Sequence, residues 1–256
     1  MRRDKNMIHK NAKKLIPFLM VALSNTVFAG PPFITDDPET LENNAWEVNY
    51  AASKTWRDGG ASAALPSVDI NYGLTSNIQL HAQPRYSYEQ ESGIRNVGFD
   101  NTEVGVKYRF VDRNVQNQRI MLGIYPMLQL PTGNRKLGET RGKTQLFLPI
   151  WGQVDTEKWS IYGGTGYRLN QGLNSKNSCF LGLTTLYKVN QDLRVGGEVY
   201  AESATELQGN NSSGFNLGGI YNMTTDYHFL FSFGQALNNV QPTNRLSAYV
   251  ALQVIY

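Results

Sequence analysis

The stretch that decides the fold is the last one: Ala248-Tyr249-Val250-Ala251-Leu252-Gln253-Val254-Ile255-Tyr256. Successive side chains of an extended chain point to opposite sides, so Ala248, Val250, Leu252, Val254 and Tyr256 share one face. Termini of ordinary soluble domains fray. A strand that runs flush to a terminal aromatic predicts a sheet that uses its last strand to close.

The same period of two recurs upstream. Trp46, Val48, Tyr50 and Ala52 alternate with Glu47, Asn49 and Ser53, and Val68, Ile70 and Tyr72 with Asp69 and Asn71. Ile78, Leu80, Ala82 and Tyr86 alternate with Gln79, His81, Gln83 and Arg85. Val104, Val106, Tyr108 and Phe110 alternate with Glu103, Lys107 and Arg109. Further segments follow around Ile120, Leu146, Ile161, Leu181, Val195, Leu217 and Phe229, and the terminal strand completes about twelve. The segment at Leu146 is the exception, because both of its faces are apolar. A repeated half-oily, half-wet strand reads as an antiparallel sheet, not as helices.

The connections alternate between two classes. Residues 73–77, 111–118, 155–158, 190–192 and 224–226 are mostly short; residues 56–64, 89–100, 132–143, 170–177, 205–213 and 237–245 are longer. Transmembrane barrels have short periplasmic turns and longer extracellular loops. Trp46, Tyr72, Phe110, Trp159, Tyr187, Tyr221, Tyr227 and Tyr256 gather at the short-turn end, as expected of a girdle of amphipathic rings at a membrane boundary. The fold class is therefore all-β: a closed antiparallel transmembrane β-barrel over residues 45–256. The final strand is expected to pair with the one that starts at Trp46, and it resembles the closing strand of bacterial outer-membrane barrels, where it serves as an assembly signal.

The start of the chain agrees. Arg2, Arg3, Lys5, Lys10, Lys13 and Lys14 precede a short apolar run, Leu15 to Leu23, and Val27-Phe28-Ala29 ends in small residues. This predicts a signal peptide, residues 1–29, cut after Ala29. The run is too short to cross about 30 Å of hydrocarbon as a helix. Residues 30–44, rich in Pro and Asp, are expected to form an extended segment on the periplasmic side.

The whole chain carries 24 Lys+Arg and 21 Asp+Glu; without residues 1–29 it carries 18 and 20. The positive balance thus belongs to the leader and is no argument for nucleic-acid binding. Cys179 is the only cysteine, which excludes an intramolecular disulfide and a cysteine zinc cage. No cofactor, metal or catalytic residue is expected.

Pro32-Phe33-Ile34-Thr35-Asp36-Asp37-Pro38, with Trp46-Glu47 after it, resembles the mature start of the outer-membrane family associated with the phenol meta-cleavage degradation pathway. Leu130-Pro131-Thr132-Gly133-Asn134, followed by Gly138, Thr140 and Gly142, resembles that family's mid-chain loop. The resemblance implies a barrel that transports small compounds, aromatic ones among them, and supplies no catalytic residue.

The wet faces supply the candidate lumen lining: Asp69, His81, Arg85, Glu103, Lys107, Arg109, Arg168, Arg194, Glu198 and Glu202, with Glu47 beside them. A charged side chain facing lipid costs about 2–4 kcal/mol at the midplane, so these must point inward or into water. Two readings stay open: a polar pore with a transverse field, or a barrel filled by salt-bridged side chains. Asp69 and His81 are expected opposite each other, a structural pair or an acid–base couple. The basic, Gly-rich loop at 133–143 either folds inward, meets lipopolysaccharide or stays solvated. The function expected is passive passage of small molecules, aromatic or hydrophobic compounds being candidates, in the outer membrane of a Gram-negative cell. A closed adhesive barrel and a lipid hydrolase are the alternatives. The partners expected are membrane lipid and lipopolysaccharide, the barrel-assembly machinery and a small solute.

Overall fold

The computed structural model describes residues 31–137, 143–171 and 174–256. The leader assigned to residues 1–29 lies outside them. Fifteen strands form one sheet: β1 Trp46–Arg57, β2 Gly60–Thr75, β3 Ile78–Gln83, β4 Arg85–Glu91, β5 Ile94–Phe99, β6 Thr102–Val115, β7 Gln118–Ile124, β8 Met127–Leu130, β9 Gln145–Asp155, β10 Trp159–Asn170, β11 Ser178–Lys188, β12 Leu193–Glu202, β13 Ser212–Asn222, β14 Tyr227–Ala236 and β15 Leu246–Ile255. Three staves of the wall are broken in two, so the fifteen strands make a closed antiparallel barrel of twelve staves. The breaks fall at Pro84, at Asp100-Asn101 and at Tyr125-Pro126. A proline has no N–H to give the ladder, and it interrupts two of the three.

The barrel closes where the last strand meets the first. Glu47 pairs with Ile255 and Trp56 with Leu246 across β1 and β15. Trp46 and Tyr256 then exchange both backbone hydrogen bonds, at 3.1 and 2.9 Å. The edge that would otherwise template aggregation is thereby removed.

Two stretches read as long loops are sheet. β1 and β2 run on to a two-residue turn at Asp58-Gly59, and β4 and β5 to one at Ser92-Gly93. Ser92 and Gly93 both have positive φ (47° and 84°), which fits a tight hairpin turn. Arg57 ties the two hairpins together through Glu89 at 3.1 Å. In the loop at 133–143, Leu137 is wholly buried beside Gly98 of β5. Residues 138–142, including Gly138, Thr140 and Gly142, lie outside the described residues.

The outer face is oily and exposed. Leu181, Leu183 and Phe233 are each more than half exposed, which water would penalise and lipid does not. Trp46 stacks at 4.6 Å on Tyr72, and Trp159 at 4.8 Å on Tyr187, at the short-turn end. Inside, the order is inverted: Asn49, Thr184, Asn101 and Glu198 are buried with Trp151, Tyr162 and Leu230.

Candidate functional site

The segment expected outside the barrel lies inside it. Residues 31–45 form no strand. From Pro32 to Thr35 they lie against the middle of β12 and β14, and from there they descend to Trp46. Leu41 N–H donates to Gln79 Oε1 at 3.0 Å, and Asn44 N–H to the Gly73 carbonyl at 2.7 Å, both near the short turn after β2. Halfway up, the Ile34 and Thr35 N–H groups donate to the two carboxylate oxygens of Glu198, at 2.9 and 2.8 Å. Pro32 C=O accepts from Ser232 Oγ at 2.6 Å. Phe33 fills a cluster with Tyr162, Leu186, Ile220 and Leu230. A segment of polar backbone is tolerated at this depth because it is surrounded by protein and finds its partners there.

Ion pairs hold the same segment. Lys107 Nζ is 3.0 Å from Asp36 Oδ1 and 3.7 Å from Asp37 Oδ1. Arg119 Nη1 is 2.7 Å from Glu39 Oε1, while its other nitrogens hold Asp112. Burial pushes the carboxyl of Glu39 up to about 7 against the pull of Arg119, with Asp155 adding to the rise. Burial raises Asp37 as well, helped by the neighbouring charges of Asp36 and Glu39. The wall makes room with glycine. A Cβ on Gly182 would stand 3.0 Å from Thr35 Cβ, and one on Gly123 3.0 Å from Pro38 Cβ.

The sequence-derived lining residues sit on the inner face at three levels. Lowest are Arg109, which donates to the Ser76 carbonyl at 2.8 Å, and Arg194, opposite Ile220. At mid-height stand Lys107, Glu198 and an acidic knot on β1, β2, β3 and β6. There His81 Nδ1 is 3.0 Å from Asp69 Oδ1, and Nε2 is 3.5 Å from Glu103 Oε1. Asn49 and Asn71 each bridge Glu47 and Asp69. Uppermost, Arg168 pairs with Glu202 at 2.8 Å and lies 4.0 Å over the Phe147 ring. Arg85 opens β4, its Nε buried and without a hydrogen-bond partner among the described residues.

His81 stands opposite Asn71, not Asp69, because the turn after β2 lies at Ser76-Asn77, beyond the middle of residues 73–77, and the one-residue irregularity between Gly73 and Thr75 offsets only part of that displacement. The pair forms on the diagonal instead, a reach that cross-strand neighbours allow. Among the described residues no serine hydroxyl bonds to His81.

Sequence reasoning missed an aromatic wall. Tyr125, Phe147, Trp151 and Phe180 pack together, with Met127 and Tyr200 against them. Phe147, Trp151 and Phe180 meet edge-on at 6.2 to 6.4 Å. The signal was the apolar inner face of β9, which broke the alternation. A surface notch of about 440 Å³ beside Leu148, Pro149 and Tyr167 faces lipid and contains no charged group.

A closed twelve-stave wall, an oily outside with ringed ends and a polar inside define a β-barrel of the outer-membrane type. The comparisons narrow this. Residues 72–251 match the family model described as "Putative MetA-pathway of phenol degradation", and the chain belongs to that family. The fold is similar to the COG4313 outer membrane channel from Pseudomonas putida F1, with TM-score 0.67 at 13% identity over 86% of this chain and 98% of that one. It is also similar to the KdgM porin, with TM-score 0.56 at 13% identity over 81% and 98%. The NanC porin gives TM-score 0.53 at 9% identity over 82% and 98%. A search of curated proteins finds no match.

Proposed function

We propose that the protein is a passive, non-enzymatic channel for small molecules that passes aromatic compounds in preference to non-aromatic ones of similar polarity. One observation carries the reading: residues 31–43 enter the lumen without joining a strand of the wall. The β1–β15 seam closes the barrel without residues 31–45, so the stopper can leave while the wall stands. Its holds are ion pairs, hydrogen bonds and the buried side chains of Phe33 and Leu41. The Tyr125–Phe147–Trp151–Phe180 face supports the aromatic preference, since rings stack edge-on at little cost. Lipopolysaccharide around the outer loops and the assembly machinery at the closing strand are the partners that go with this reading.

Liposome swelling tests it with phenylalanine and serine, two zwitterions that differ in the ring. The expected result is swelling with both and a faster rate for phenylalanine relative to its size. No swelling and no bilayer conductance would sink the channel and favour a closed adhesive barrel. Rates that fall only with solute size would remove the aromatic preference.

A further inference from the structure

We infer that Lys107 is a carboxylate-binding site for small aromatic acids, and that Asp36 and Asp37 fill it until an incoming solute replaces them. The inference rests on reading the lumen as a solute path. Both ion-pair partners of Lys107 come from the removable segment: Asp36 Oδ1 at 3.0 Å and Asp37 Oδ1 at 3.7 Å. Among the described residues, no carboxylate of the wall reaches it within ion-pair distance. The Lys107 side chain is only 5% exposed. A cation so enclosed is costly without a counter-charge, so a solute carboxylate that enters as the segment yields takes the place of Asp36 and Asp37.

The neighbourhood says what that carboxylate should carry. Lys107 Nζ lies 4.9 Å from the centre of the Tyr125 ring. Tyr125 is the near member of the aromatic face with Phe147, Trp151 and Phe180. Trp151 is 1% exposed, and its Nε1 has no hydrogen-bond partner among the described residues. An ammonium, an aromatic face and a free indole donor together match an aromatic ring bearing a carboxylate and an oxygen acceptor. The stopper itself is the tethered competitor: its two carboxylates occupy the charge, while its own aromatic ring, Phe33, packs elsewhere, against Leu186 and Ile220.

The test is equilibrium binding of benzoate to the detergent-solubilised mature chain by calorimetry, with benzyl alcohol as the neutral isostere. In Asp36→Asn/Asp37→Asn the competitor is disarmed, and benzoate should bind at least about tenfold more tightly than to wild type. In Lys107→Met, benzoate affinity should fall by at least about tenfold, and Lys107→Arg should keep it. Benzyl alcohol should respond to neither change. Unchanged or weaker benzoate binding in the double variant overturns the inference, and so does undiminished binding in Lys107→Met. If the Lys107 variants do not fold, the double variant decides alone. Benzoate binding without solute passage would keep this site and remove the channel reading; passage without competition would do the reverse.

Discussion

Gly182→Val acts on the stopper and on the Phe180 ring beside it. Gly182 faces the lumen on β11, flanked in the ladder by Gly164 and Tyr200. A Cβ there would overlap Thr35 Oγ1 and stand 3.0 Å from both Thr35 Cβ and Phe180 Cε1. Carbon atoms settle at about 3.5–4.0 Å, so Thr35 must retreat, and rotating its hydroxyl does not relieve the Cβ overlap. Thr35 is wholly buried, and its N–H donates to Glu198 Oε2 at 2.8 Å. Overpacking costs about 1–3 kcal/mol, and a hydrogen bond to a charged group is worth about 1.5–3 kcal/mol. A net penalty of about 2 kcal/mol on the docked state shifts the docked-to-released ratio by roughly thirtyfold. Single-channel recording should show a correspondingly greater open time in Gly182→Val and a smaller gain in Gly182→Ala. The folded barrel, followed by its heat-modifiable gel mobility, should be unchanged. Identical gating in all three proteins would refute the argument that the tip docks against β11.

Other perturbations test the remaining contacts. Glu198→Gln keeps an acceptor for Ile34 or Thr35 but loses the charge that both N–H groups share, so open time should rise several-fold, by roughly 1–2 kcal/mol; unchanged recordings would exclude Glu198 as a latch. Glu39 is raised from 4.5 to about 7 when docked, so the docked state binds more protons than the released one. Its contribution to docking is complete below about pH 4.5 and is lost as pH rises through about 7, and Asp37 shifts the same way. Conductance should therefore increase from pH 5 to pH 8, and Glu39→Gln should flatten that rise. Removing residues 248–256 takes away the partners of both β1 and β14, so no heat-modifiable barrel should form.

The wall was legible because one rule repeats: in each stave one face meets lipid and the other water, and the period of two survives any tertiary detail. The seam between the terminal strand and Trp46 followed from the same rule. The interior was less legible. Nothing local in Pro31 to Ala45 says that it belongs inside, because its partners are remote: Glu198 is 163 residues from Thr35, and Lys107 is 71 from Asp36. The clue lay in the wall, where Gly123 and Gly182 leave inward positions empty that a stopper must fill. The Asp69–His81 register slipped by two because the place of the turn within residues 73–77 is invisible to alternation. The hairpins at Asp58 and Ser92 looked like loops since polar residues there face water on both sides, as strands do once they leave the membrane.

The account stands on the stopper, and one comparison tests it most directly: planar-bilayer conductance of the mature chain against the same chain lacking residues 31–43. Deletion should leave the β1–β15 seam closed and give a larger, steady conductance, with the intact chain mostly shut. Equal conductance from the two proteins would contradict it.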